Sequence, residues 1–400
     1  MLMSMIISHV RESQFSRKRM RQGKCEQVVA RLTQRIRKGD YHVQGLPAER
    51  ELAAEVGVSY MTARKAIQKL LDNGLLRRLP NGRLDVQRNV ENGTATHRAQ
   101  IALLVPAWES VEVANWNIAL TRLDSRFNCS TRVVYYAHWD DPNVVNTLRR
   151  FDGIFLRPLA EAAPPPSLIQ ELVRNRRPVV VLSLDWSGYG VRSVRLDPPV
   201  YVQKLLDHLA SLGHRKIDCL NVQPRESVVL ERIAQWKLWL AAHGLDGELV
   251  DEAVAPYTEP ISAAYQAVVR RIREKAFDCT ALLCITEPAA AGAIRAMVDH
   301  GIRPGYDVAV CAAAGESRAE YNTPSLTALQ DPDPKPYLAV CLEWMLGGEG
   351  RHWYGPLLVQ PADVPVVIRQ STVPEADDKH PPERLREMSA ETGETKRGPA

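Results

Sequence analysis

The sequence predicts a mixed α/β chain with two architectures in tandem: a small helical head closed by a β-hairpin, then a larger body of parallel sheets split into two lobes. Three observations carry that reading. Between Cys25 and Val86, three short segments with apolar residues at helical spacing precede two strand-like runs around an Asn-Gly turn. From Ile101 onward, short β-branched runs alternate with helix-length segments, the pattern of βαβ crossovers and of a sheet covered on both faces. The alternation continues to Pro374, too long for one comfortable sheet, so two similar lobes are expected.

In the head, Val28, Leu32 and Ile36 at four-residue spacing form the stripe of a first helix, which should stop at Gly39-Asp40. Pro47 fits the first position of a second helix, with Glu49 and Glu51 in its first turn and Gly57 as its left-handed stop. Ser59 is a good N-cap for a third, whose Ala63, Ala66, Ile67 and Leu70 should be buried until Asn73-Gly74 ends it. Leu75 to Leu79 and Arg83 to Val86 read as strands flanking Pro80-Asn81-Gly82, where Asn-Gly signals a two-residue hairpin loop. The order is helix, helix, turn, helix, wing.

The body strands are expected at Ile101–Val105, Arg132–Tyr136, Gly153–Leu156, Val179–Leu182, Ile217–Asn221, Ala281–Ile285 and Val308–Cys311. The expected boundaries are a basic, disordered leader over residues 1–24, the head over 25–90, a polar linker over 91–100, the two-lobed body over 101–374 and a disordered tail over 375–400. The leader holds Arg11, Arg17, Lys18, Arg19, Arg21 and Lys24 against Glu12 alone, which favours a polyanion near the head.

The 400 residues are 45% hydrophobic and 24% charged, an ordinary globular make-up, and the net charge of +4 is too small to diagnose a partner by itself. Seven cysteines lie scattered with no CxxC pair and no histidine at metal-ligand spacing, so reduced, mostly buried thiols and no metal are expected. There is no run of eighteen apolar residues and no HExxH, GxSxG or Walker-type loop. The chain therefore reads as a cytoplasmic protein without a membrane partner, a cofactor or enzymatic chemistry. An aminotransferase-like fusion would need a well-placed lysine late in the chain, and Lys275, Lys335, Lys379 and Lys396 have no such setting.

Leu46-Pro47-Ala48-Glu49-Arg50-Glu51-Leu52-Ala53, followed by Gly57-Val58-Ser59, Thr62, Arg64, Leu70 and Gly74-Leu75, closely resembles the GntR-type winged-helix head over about sixty residues. The resemblance implies a third helix in the major groove of operator DNA, with the wing over the adjacent minor groove or backbone. A helix starting at Ser59 projects Tyr60, Met61, Thr62 and Arg64 from its first turns, where base edges are reached. Arg50 matches a family arginine that holds the DNA, and Asn81, Gly82 and Arg83 form the tip of the wing. Many relatives carry arginine where this chain has Tyr60, which leaves the favoured base open.

The second region resembles the sensor domain of lactose- and galactose-repressor-type regulators over most of Ala99 to Pro374. Its landmarks include Ile101-Ala102-Leu103-Leu104-Val105-Pro106, Phe151-Asp152-Gly153-Ile154, Leu212-Gly213-His214-Arg215-Lys216-Ile217, Asp307-Val308-Ala309-Val310 and Leu326-Thr327. The whole is thus similar to arabinose-repressor-like regulators: a winged helix-turn-helix plus a two-lobed periplasmic-binding-protein-like domain with parallel sheets.

Ligands of open parallel sheets bind beyond the carboxyl ends of strands, which nominates Trp108, Glu109, Arg157, Asp185, Trp186, Gln223 and Glu287. The resemblance adds Arg232, which falls on the arginine that clamps ligand hydroxyls, and Asp197 at the lobe crossing, although an Asp before Pro198-Pro199 is equally a helix N-cap. Carboxylates, a guanidinium and an indole face suit a sugar. Trp116, Trp236 and Trp239 read as core, and His214 as a structural residue at a strand entrance. The expected function is a homodimeric repressor of operator DNA controlled by a small-molecule effector, a sugar or sugar derivative. The alternative is a DNA-binding protein whose sensor-like lobes only dimerise.

Overall fold

The computed structural model describes residues 23–37, 40–41, 45–87, 98–107, 110–159, 162–174, 177–255, 258–314, 318–348 and 352–374. The expected leader up to residue 22, most of the linker, the tail from 375, and Trp108 and Glu109 lie outside the described residues.

The head is helix α1 (Lys24–Arg37), α2 (Glu49–Val56), α3 (Tyr60–Asp72) and an antiparallel pair, β1 (Leu76–Arg78) with β2 (Leu84–Val86). Val28, Leu32 and Ile36 meet Leu52, Val56, Ala66, Ile67, Leu70, Leu76 and Leu84 in one core, as the stripes require. Gly57 closes α2 at φ +72°, and the Ser59 hydroxyl accepts the Thr62 amide at 3.3 Å to cap α3.

Two local expectations are corrected. Pro47 precedes the N-cap, Ala48, whose amide is satisfied instead by the Glu51 carboxylate at 3.1 Å. The wing loop has three residues, not two: Leu79 N–H donates to the Arg83 carbonyl at 2.8 Å, and Gly82 takes φ +77°. A left-handed third residue after a type I turn offsets the strands by one, which Asn-Gly also permits.

The body is built on two six-stranded sheets. In the first lobe, β3 (Ala99–Pro106), β4 (Cys129–Tyr136), β5 (Gly153–Leu156), β6 (Val179–Leu182), β7 (Arg192–Val194) and β13 (Leu358–Val359) run parallel in the order β13-β7-β6-β5-β3-β4. In the second, β8 (Ile217–Asn221), β9 (Leu249–Asp251), β10 (Ala281–Cys284), β11 (Ala309–Ala312), β12 (Thr327–Leu329) and β14 (Val366–Val367) take the order β14-β12-β11-β10-β8-β9, with β14 alone antiparallel. All seven strands expected in the body are present. Both faces of each sheet are covered: Ile101, Leu103 and Val105 face one apolar cluster, and Ala102 and Leu104 the other.

The chain passes between the lobes three times, after β7, after β12 and between β13 and β14. After the second passage, α11 (Lys335–Leu346) returns to the first lobe and buries Leu338, Leu342 and Met345 against Ile101, Leu103 and Phe155. Side chains of that size contribute about 1.5–3 kcal/mol each when fully buried. The close seating depends on Gly153, where an added Cβ would lie 2.8 Å from Met345 Sδ and 3.0 Å from Ile101 Cδ1.

All seven cysteines are free thiols, and six are buried. Among the described residues no group of histidine, cysteine and carboxylate side chains could hold a metal, and no helix is long and apolar enough to cross a membrane.

Candidate functional site

Two surfaces collect the expected residues. On the head, Arg50, Ser59, Tyr60, Met61, Arg64, Asn81, Gly82 and Arg83 are exposed, with Thr62 half-buried beside the cap. They form a continuous sequence of α2, α3 and wing because the opposite stripes of the same helices are spent on the core. Arg50, Arg64 and Arg83 form no ion pair among the described residues. By contrast, Arg77 is paired with Asp85 at 2.9 Å and Arg78 with Glu49 at 2.8 Å. Ser59 and Thr62 share their hydroxyls at 2.8 Å, and Asn81 accepts the Arg83 amide at 3.1 Å, so these groups first shape the backbone.

The second surface is a cleft of about 730 Å³ between the lobes. Its walls come from the ends of strands and the helices that follow: α4 (Val111–Leu123) and the ends of β5 and β6 on one side, α8 (Ser227–His243), α9 (Pro260–Arg273) and the end of β10 on the other. Arg157, Asp197, Gln223 and Arg232 all line it, as expected. Arg232 is buried, donates from Nη1 to the Ile285 carbonyl at 2.9 Å, and pairs through Nη2 with Asp197. Burial pushes the Asp197 carboxyl above its ordinary value, and Arg232 pulls the other way. Asp197 belongs to the first crossing between the lobes, so the pair joins the crossing to the second lobe.

Arg157 bridges the cleft. It lies 3.7 Å from Glu112 of its own lobe and 3.5 Å from Glu226, the N-cap residue of α8 in the other. Its guanidinium loses hydration, and the two carboxylates more than restore its charge. Gln223 donates to the Thr286 hydroxyl at 3.1 Å across neighbouring strand ends.

Three expected ligand residues do not line the cleft. Trp186 is buried in the far-side core of the first lobe, its ring 6.0 Å from that of Trp139. Asp185 is exposed and closes a turn through the Ser187 amide at 2.9 Å. Both sit past the strand end, where the chain has already turned away from the cleft. Glu287 opens α10 (Glu287–Asp299), but its carboxylate is buried and accepts from Asn322 at 2.8 Å, while its neighbours Thr286 and Pro288 line the cleft. Burial also raises the Glu287 carboxyl.

Other wall residues were not anticipated. Glu112 and Trp116, one helical turn apart on α4, are joined by an indole N–H to carboxylate bond of 3.4 Å, and Trp116 is a cleft wall as well as core. Ser183 holds φ +71° and donates its hydroxyl to Glu112. A left-handed serine is a strained backbone that only surrounding structure can hold in place. Glu226, Glu259 and Asp331 add to the acidic lining. Trp236 and Trp239 are core as expected, donating to the Ile217 carbonyl and Asp207, and His214 is buried at the entrance to β8.

This geometry has counterparts. Residues 24–86 match the family of bacterial regulatory proteins described as the gntR family, and residues 206–342 match the periplasmic binding protein-like domain. The two matches lie in tandem, one on the head and one on the body. A gntR-family head is followed by a periplasmic-binding-protein-like body. The HTH-type transcriptional regulator MalR of Streptomyces coelicolor is 33% identical over 135 residues, which are 32% of this chain and 37% of that protein, so the match spans little more than a third of its length.

Solved structures share the fold at lower identity. A lac repressor dimer bound to operator and an anti-inducer is 19% identical with TM-score 0.55, over 69% of this chain and 94% of its own. The transcription regulator GntR of Chromobacterium violaceum is 20% identical with TM-score 0.54, over 68% of this chain and 99% of its own.

Proposed function

We propose that the protein is a sequence-specific DNA-binding transcription regulator, a repressor, whose operator binding is controlled by a neutral sugar or sugar derivative held between the lobes. One observation carries the reading: a capped helix presenting Tyr60, Met61 and Arg64 beside the unpaired Arg50 occurs in the same chain as a two-lobed cleft crossed by charged pairs. The guanidiniums of Arg50, Arg64 and Arg83 suit phosphates and guanine edges. In the cleft, Arg157 and Arg232 are matched by Glu112, Glu226 and Asp197, and the same lining holds Arg318 with Glu259 and Asp331, so fixed polar groups face a ligand without surplus positive charge. That arrangement suits ring hydroxyls, which both donate and accept, against the Trp116 wall.

A small molecule moves DNA affinity only through contacts that differ between open and closed lobes, and the Arg157–Glu226 bridge is such a contact. A two-fold dimer supports the reading, because one winged head offers too small an interface for a specific site and a symmetric dimer matches palindromic half-sites. MalR and the lac repressor are regulators by name, which supports the same assignment.

The test is selection of bound sequences from a random duplex pool, then operator binding by fluorescence anisotropy across a panel of neutral mono- and disaccharides. Enrichment of a palindrome and its release or tightening by one sugar are expected. A chain that enriches no sequence has another function. One that binds an operator but no sugar, by calorimetry, uses its lobes only for assembly.

A further inference from the structure

Tyr60 occupies the first helical position of α3, the place from which a side chain reaches a base edge, and the residue is 38% exposed. Its hydroxyl is not uncommitted. It lies 3.2 Å from Oε2 of Glu49, the first residue of α2, while Oε1 of the same carboxylate takes Arg78 Nη2 of the wing at 2.8 Å. The hydrogen bond from Arg78, and next the one from Tyr60 against the cost of burial, hold the Glu49 carboxyl below the usual range. An ionised carboxylate has no proton to give, so Tyr60 is the donor in this bond. What remains on the phenolic oxygen is lone-pair capacity. The Arg50 guanidinium, 6.0 Å from the ring centroid, flanks the same ring from α2.

The major groove offers donors only at the exocyclic amino groups, adenine N6 and cytosine N4, whereas guanine O6 and N7 and thymine O4 accept. We propose that Tyr60 reads one such amino group as an acceptor, and that Glu49 is the positioning residue which sets this polarity by holding the hydroxyl proton. An arginine at this position has only donors and selects guanine; Tyr60 held by Glu49 inverts the preference. A keto oxygen placed against the same hydroxyl would meet a lone pair and leave both acceptors unsatisfied. The inference rests on the DNA-binding reading above.

The experiment uses the full-length chain and the duplex it enriches from a random pool, with binding followed by anisotropy. One base pair in each half-site is expected to be fixed in the orientation that turns its amino group, adenine N6 or cytosine N4, toward Tyr60. Replacing adenine there by purine, which lacks the 6-amino group, or cytosine by 2-pyrimidinone, which lacks the 4-amino group, should weaken wild-type binding by about three- to tenfold, the worth of one neutral hydrogen bond. Which replacement acts tells adenine from cytosine.

Tyr60→Phe should bind amino and amino-free duplexes alike while keeping every other base preference. Glu49→Gln, whose amide both donates and accepts, should admit guanine or thymine at that one position to within about twofold. A wild-type chain that selects sequences, with no position altered by Tyr60→Phe or with the altered base pair insensitive to removal of its amino group, overturns the proposal alone. A wild-type chain that enriches no sequence overturns the DNA-binding reading, and the proposal with it.

Discussion

Replacing Arg232 by methionine keeps most of the aliphatic stem, so the packing volume is nearly conserved and the lost term is electrostatic. Two bonds disappear, Nη1 to the Ile285 carbonyl at 2.9 Å and the charge-assisted contact with Asp197. A hydrogen bond to a charged group is worth about 1.5–3 kcal/mol and a neutral one about 0.5–1.5 kcal/mol. The Asp197 side chain retains 36% exposure, so water re-solvates it in part and the loss falls near the lower limits, about 2 kcal/mol. That is roughly a thirtyfold fall in the folded-to-unfolded ratio.

The deficit should depend on pH. Asp197 already has a raised folded-state value, so its share of stability is present below its unfolded value and lost as pH rises through the folded one. Without the guanidinium its carboxyl rises further, and the variant should recover part of its deficit as pH falls. Urea unfolding of wild type and Arg232→Met at neutral and mildly acidic pH reads both effects. Equal midpoints, or a deficit that does not shrink in acid, would refute a formed Arg232–Asp197 pair. The same variant should lose the response to a cognate sugar and keep operator affinity without it.

Arg50→Ala should weaken binding to all sequences alike and lower the slope of log affinity against log salt by about one, measured by anisotropy across a salt series; a changed base preference would contradict a phosphate role. Gly153→Val should cost at least about 1–3 kcal/mol in thermal unfolding, because its side chain meets Met345 and Ile101, and Met345→Ala should restore part of the loss. Burial pushes His214 down to about 4, so the stability it contributes is present above its unfolded value of about 6.5 and fades as pH falls toward about 4; His214→Gln should flatten the acid limb of a stability profile over that window.

The head was legible because its signals are local. A cap at Ser59, the stripe of Ala63, Ala66, Ile67 and Leu70, and a left-handed Gly57 each lie within a few residues of the structure they specify. The seven long body strands announced themselves as apolar runs. Strands β7, β9, β12, β13 and β14 did not, since each has two or three residues and owes its existence to distant partners, as Leu358 does to Ser193.

In the cleft, the strand-end rule found Arg157 and Gln223, and resemblance found Asp197 and Arg232. The strand-end rule overshot at Asp185 and Trp186, where Ser183 and Leu184, just before them, are the wall residues. Glu112 and Trp116 carried a readable signal, a four-residue spacing on the helix after the first body strand, but nothing in one sequence says which face of that helix meets the other lobe. Glu287 was misplaced because its partner Asn322 is remote in sequence.

The return of α11 to the first lobe has a consequence for biosynthesis. Ile101, Leu103, Val105, Phe155 and Val180 are made early, yet the helix bearing Leu338, Leu342 and Met345 that packs on them emerges from the ribosome only after five of the six strands of the other lobe have been translated. Until then α4 alone covers that face, through Val113, Trp116 and Leu120, and the part left to α11 is open apolar surface to which chaperones can bind. A stalled or truncated chain ending anywhere before Met345 would keep that face open and be prone to aggregate.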